Sequence, residues 1–107
     1  MLVYDFVYDL AALFTIDTTR TVIKLFAFGT SFVSRSEAKR LTQGLERFRH
    51  VILDFQGVTL VGQGFADEIF RVWSRAHPDV ELKTENMIAP VAFMVERART
   101  AAAQMPK

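Results

Sequence analysis

The stretch that most constrains this chain is Val51-Ile52-Leu53-Asp54-Phe55, with the loop Gln56 to Gly64 and a helical pattern from Phe65 to Ala76 behind it. Five mostly apolar, partly β-branched residues stopped by Gly57 read as a strand buried on both faces. Past the loop, Phe65, Ala66, Ile69, Val72, Trp73 and Ala76 recur at helical spacing, with Asp67, Glu68, Arg71 and Arg75 between them. Strand, loop and helix leading to another strand make an α/β unit. In open α/β sheets, ligands and partners bind at the carboxyl ends of such strands. The segment from Gln56 to Phe65 is therefore the first candidate for a working surface.

The rest of the chain supplies elements around this unit. Leu2 to Val7 alternates as a strand, Tyr8 to Phe14 reads as a short helix or irregular turn, and Asp17 to Thr19 as a polar turn. Arg20 to Phe28 is a second strand, with Ile23, Leu25 and Ala27 on one face and Val22, Lys24, Phe26 and Phe28 on the other. These two strands suit an antiparallel hairpin. Ser34-Arg35-Ser36-Glu37 has the hydroxyl and glutamate of a capping box, which starts a helix running to about Phe48. Ala38, Leu41, Leu45 and Phe48 form its buried stripe. Gly44 falls inside that helix, where it costs about 1 kcal/mol relative to Ala, or else permits a close approach to the sheet. Pro78 ends the next helix, Val80 to Lys83 alternates as an edge strand, and Asn86 to Ala89 links it onward. Pro90 suits a first helical position, and Val91, Val95, Ala98 and Ala102 give a last helix, with Gln104 to Lys107 fraying. The order is β-β-α-β-α-β-α: an α/β fold with a mixed sheet of about four strands and helices packed against it.

Residues 1–107 read as one domain, since this length sustains a single core. Half of the residues are hydrophobic and ten are Phe. So much apolar surface implies either a generously packed core or a face left for a partner. A net charge of +1 gives no global attraction to nucleic acid or acidic lipid. The absence of Cys removes disulfides and thiolate chemistry and suits a reducing cytoplasm. No basic segment precedes an apolar one at the start, and no uncharged apolar run approaches the ~20 residues of a membrane span. The expectation is a cytoplasmic protein without a leader or a membrane anchor.

The central stretch, with its glycine-bearing turn and following helix, resembles the STAS fold of sulfate transporter tails and anti-sigma factor antagonists. Three blocks carry a closer resemblance, to the STAS-like family of uncharacterised bacterial proteins. They are Ser34-Arg35-Ser36-Glu37-Ala38-Lys39-Arg40-Leu41, the Asp54 strand, and Gly62-Gln63-Gly64-Phe65-Ala66-Asp67-Glu68-Ile69-Phe70-Arg71. The similarity runs from about Val22 to Arg99, and the family carries no assigned function. The resemblance implies a regulatory protein-interaction module. In anti-sigma factor antagonists the turn before the second helix carries Asp-Ser-Ser-Gly, and a histidine-kinase-like ATPase partner phosphorylates one serine. Here the turn reads Val61-Gly62-Gln63-Gly64, with no hydroxyl to carry a phosphate. Docking onto a partner is implied without that switch.

Chemical alternatives attach to the same loop. Gly57, Gly62 and Gly64 invite a phosphate-binding turn, but no Lys-Ser or Lys-Thr follows, and Asp67 and Glu68 put negative charge in the first helical turns. Asp54, Asp67 and Glu68 are candidates for a carboxylate cluster that binds metal or moves protons. The competing account has Asp54 accepting backbone N–H groups in the loop, and Glu68 pairing with Arg71 or Arg75. His50 lies before the strand, away from its carboxyl end, and His77 at a helix end. No nucleophile has a histidine base beside it in prospect. Arg35, Lys39, Arg40, Arg47 and Arg49 make the first long helix basic on its outer side. That suits a solvated face or an acidic protein partner better than nucleic acid, for which no motif is present.

The leading expectation is a non-catalytic module that contacts a protein partner through Gly57, Gly62, Gln63, Gly64, Phe65, Asp67, Glu68, Phe70 and Arg71, with no cofactor. Phe65, Phe70 and Trp73 are its candidate anchors, because one narrow helical stripe does not bury all three. The alternatives are a carboxylate enzyme or ligand-binding site, and a homo-oligomer built on the N-terminal strand as an unpaired edge.

Overall fold

A computed structural model describes residues 20–104. In chain order its regular elements are β1 (Arg20–Lys24), β2 (Ser31–Phe32), α1 (Arg35–Thr42), β3 (His50–Asp54) and β4 (Leu60–Val61). Then come α2, β5 (Glu81–Glu85) and α3 (Ala89–Gln104). α2 is one continuous helical run, α-helical over Gln63–Asp67, π-helical over Glu68–Trp73 and α-helical again over Ser74–Ala76.

The residues that read as the central strand make it. β3 lies between β1 and β5, parallel to both, so each connection must cross over, and α1 and α2 supply the crossovers. Period-two alternation puts Val51 and Leu53 on the helix-covered face, where neither is exposed to solvent. Thr21, Ile23, Leu82 and Thr84 stand beside them in register. The core continues through Leu25, Phe55, Phe65, Ile69, Val91 and Val95, all fully buried. β5 is an edge strand of this sheet, as its alternating charges suggest. Every strand pairing among the described residues is parallel. The antiparallel member of the expected mixed sheet, at residues 2–7, lies outside the described residues, as do the short helix at 8–14 and the turn at 17–19.

Two element ends and one strand pairing depart from the sequence reading for a visible reason. The strand expected over Arg20 to Phe28 stops at Lys24. Beyond Asp54 the neighbouring strand continues toward β5, with Phe55 N–H donating to the Glu85 carbonyl at 2.8 Å. With no strand partner among the described residues, the chain after Lys24 closes on itself as a 3-10 turn over Leu25–Ala27, Phe28 N–H donating to the Leu25 carbonyl at 2.8 Å. The helix expected to reach Phe48 ends at Thr42. Gly44 stands at φ +85°, a left-handed conformation that stops a helix, and Leu45–Arg47 form a separate 3-10 turn. Leu45 and Phe48 are buried nonetheless. Finally, β2 and β4 form a two-residue parallel bridge, Ser31 opposite Leu60 and Phe32 opposite Val61, too short to leave a periodic signature.

The π segment reconciles three aromatics with one helix. A π turn accommodates an extra residue, which shifts the phase of everything after it. Phe65, Ile69, Phe70 and Trp73 all turn inward, at 0, 0, 2 and 8% exposure, while Val72 of the expected stripe is 37% exposed. Ala76 is exposed as well. Among the described residues no helix is long and apolar enough to cross a membrane.

Candidate interaction surface at the carboxyl end of the sheet

The bend after β3 is held by its backbone. Phe55 is buried, Gln56 N–H donates to Asp54 Oδ1 at 3.0 Å, and Val58 N–H closes a turn onto the Phe55 carbonyl at 2.9 Å. Gly57 at the corner has φ +86°, and a β-carbon there would lie 2.5 Å from Cδ1 of Phe26. The missing side chain thus permits the left-handed turn and seats the Phe26 ring. Thr59 donates twice to the Thr30 carbonyl, from N–H at 2.8 Å and from its hydroxyl at 3.2 Å. Gly62 N–H then reaches the Phe32 carbonyl at 2.8 Å, and Phe65 N–H the Val33 carbonyl at 3.0 Å. The bend is therefore zipped along residues 30–33.

The donors that a phosphate cradle would draw on here are partly spent within the protein. The Phe65 N–H at the start of α2 is already engaged with Val33, and Ala66 N–H with the Gly62 carbonyl. Gly62 serves a close approach instead: a β-carbon on it would lie 2.9 Å from the Cα and carbonyl oxygen of Val33.

The expected site residues separate into two sets. Gly57 and Gln63 are exposed, and Gly62, Gly64, Asp67 and Arg71 are half-buried; Gln56, Thr59 and Leu60 of the same loop are exposed as well. Phe65 and Phe70, proposed as anchors along with Trp73, belong to the protein's own core. The Phe65 ring meets Phe32 at 5.2 Å, Phe70 lies under the Arg99 guanidinium at 5.0 Å, and Trp73 stacks on His77 at 4.6 Å. Glu68 is buried too. None of these four offers a partner its side chain.

The acidic pair at the start of α2 also differs from expectation. Asp67 takes the hydrogen bonds of the helical partner, Arg71 Nε and Nη2 each donating to its carboxylate at 2.6 Å, while Glu68 adds a weaker electrostatic attraction to the same Arg71. Arg35, at the start of α1, reaches Asp67 at 2.8 Å and Glu68 at 3.5 Å. Arg35 thus leaves the basic outer face of α1 and ties the two helices together. The Arg71 hydrogen bonds, followed by those of Arg35, hold the Asp67 carboxyl below its ordinary range. Asp54 is held low as well, chiefly by Asn86 Nδ2 donating to Oδ1 at 2.9 Å and then by the Gln56 N–H. Both carboxylates are committed to hydrogen bonds that favour their charged forms. Among the described residues, no group of three or more His, Cys, Asp or Glu side chains is placed to hold a metal ion. His50 sits beside Glu81 at 2.8 Å, and His77 Nδ1 lies 3.0 Å from the Trp73 carbonyl at the end of α2.

What periodicity missed is the apolar rim of the bend. Phe26 and Phe28, on the 3-10 turn after β1, are 59% and 67% exposed. Val33 and Leu60, on the paired segments beside it, are 51% and 52% exposed. A strand through Phe28 would have hidden this, because the outward rings depend on where β1 loses its neighbour. Gly29, at φ +148° directly after Phe28, is the one local sign of an early stop.

The model of one protein family, described as a STAS-like domain of unknown function (DUF4325), matches residues 37–92. The matched stretch covers more than half of the 107 residues, from Glu37 of the capping box through β3, the bend, α2 and β5 into the first turn of α3. No curated protein and no solved structure matches the chain.

Proposed function

The chain belongs to the STAS-like domain family of unknown function, and on that premise we propose that it is a non-catalytic regulatory module that docks a protein partner at the bend after β3. The observation that carries this is the gathering of Phe26, Phe28, Val33 and Leu60 in solvent around a bend fixed by backbone hydrogen bonds. Exposed apolar groups on a rigid support are costly in water unless something covers them. The contact surface runs from Gly57 through Leu60 to Gln63, flanked by the half-buried Gly62, Gly64, Asp67 and Arg71. Resemblance to anti-sigma factor antagonists makes a histidine-kinase-like ATPase the first partner to try. Val61-Gly62-Gln63-Gly64 offers no hydroxyl, so the module works without a phosphoserine switch at this turn. The committed state of Asp54 and Asp67 favours docking over proton transfer or metal chemistry.

Capture of partners from a native lysate by the tagged chain tests this. Leu60→Arg and Gln63→Arg leave the core untouched and should release the captured protein, while Phe93→Arg on α3 should retain it. A partner held equally by all three variants would place the interface elsewhere. Gly62 is unsuitable as a probe, because a side chain there meets the Val33 backbone.

A further inference from the structure

Beside the bend, between β1 and α1, runs a groove of roughly 410 Å³ lined by Ile23, Phe28, Phe32 and Leu41, with Glu37 and Arg40 at its rim. Phe32 is buried, Ile23 and Leu41 pack on the core, and Phe28 stands largely in solvent as the free wall. The two rim charges are not equivalent. Glu37 is spent within the capping box: its Oε1 accepts Val33 N–H at 2.8 Å and Ser34 N–H at 3.0 Å. Arg40 feels the Glu37 charge at longer range but makes no hydrogen bond or close ion pair with any described residue. The groove therefore presents an apolar trough and a guanidinium whose hydrogen-bond donors are open, with the Glu37 charge three residues away already satisfied by the cap.

We propose that this groove binds an acidic segment of a partner protein, which seats an aromatic or leucine side chain against Phe28 and Leu41 and places a carboxylate on Arg40. Charge complementarity selects the acidic partner: a guanidinium at an apolar rim pairs strongly with a carboxylate and weakly with neutral groups. The breadth of the apolar surface selects a protein segment over a small amphiphile. From Phe28 it continues to Phe26, seated over Gly57, and on to Val33 and Leu60. A single acyl chain in the groove would leave those side chains wet. This assignment rests on the bend as the docking surface and extends it along one flank, where it names the partner's chemistry.

Fluorescence anisotropy with the full chain tests the proposal. The probes are a fluorescein-labelled peptide of alternating Glu and Asp carrying one Phe and one Leu, the same peptide with Lys for every acid, and the same acids with Ser for Phe and Leu. The acidic, aromatic peptide should bind at least about tenfold more tightly than either control, the scale of losing an anchor or a close charge pair. Arg40→Glu should invert the preference between the acidic and lysine peptides. Phe28→Ser should weaken binding about tenfold at an unchanged thermal midpoint, since the ring is mostly in water. Equal binding of the acidic and lysine peptides, no binding of any peptide, or indifference to Arg40→Glu would overturn the proposal. So would displacement of the peptide by equimolar dodecanoate, which would mark a small-amphiphile site, or a dimer dissolved by Arg40→Glu, which would mark a second copy as occupant. Loss of the lysate partner in Leu60→Arg, with peptide binding indifferent to Arg40→Glu, would retire the groove and leave the bend standing. Peptide binding that follows these rules while the bend variants keep their partner would do the reverse.

Discussion

Ser34 and Glu37 close the first turn of α1 reciprocally. The serine hydroxyl accepts Glu37 N–H at 3.2 Å, and the glutamate accepts Ser34 N–H at 3.0 Å. Ser34→Ala should cost about 1 kcal/mol, read as a lower urea midpoint at unchanged slope. A midpoint equal to wild type would mean that the cap contributes nothing. Asp67 makes a pH prediction. Its folded pKa lies below the ordinary value of 3.8 because Arg71 and Arg35 stabilise its charged form. The stabilisation is therefore complete above that ordinary value and is lost as pH falls through the lower folded one. Asp67→Asn should lower stability at neutral pH and flatten the acid limb of the stability curve below about pH 4. An unchanged acid limb would contradict the network. The two cases also mark what a sequence discloses at this scale. The capping box is legible because its partners lie three residues apart. The Arg35–Asp67 pair joins residues on two helices that only the tertiary fold brings together.

Within elements, space and phase decide. Gly62 and Gly64 look alike in sequence but answer differently to a methyl group. At Gly62 it would sit 2.9 Å from Val33 backbone atoms, which cannot yield cheaply; at Gly64 the nearest atom is 3.4 Å away, an ordinary contact. Gly62→Ala should destabilise by about 1–3 kcal/mol through overpacking. Gly64→Ala, inside a helical turn, should be neutral or stabilising by up to about 1 kcal/mol. Equal effects in thermal denaturation would contradict the close approach. In α2, Trp73→Ala should cost about 3–5 kcal/mol, whereas Val72→Ser should stay within about 0.5 kcal/mol. The opposite order would restore the regular stripe in which Val72 is buried. That stripe was legible as a helix from period alone, and so was its placement after the bend. The π segment was not, because the inserted phase shift is fixed by packing Phe70 and Trp73 against α3 and the sheet rather than by any local preference.

Across the whole molecule, the parallel β-α-β-α-β order, the buried central strand and the exposed bend followed from hydrophobic patterning, since each element must bury one face. The surface chemistry did not. Phe26 and Phe28 read as strand residues until the ladder ends at Lys24, and from there their rings turn outward beside Leu60. The account's central claim is that this rim, together with Gln63 at the start of α2 and not the far end of that helix, is where a partner sits. The most direct measurement is photo-crosslinking in the cell of origin, with benzoyl-phenylalanine placed at Leu60 and, separately, at Ala76 beyond the π segment. The account predicts a discrete adduct with another protein from residue 60 and none from residue 76. Adducts from residue 76 alone, or equally from both positions, would contradict it.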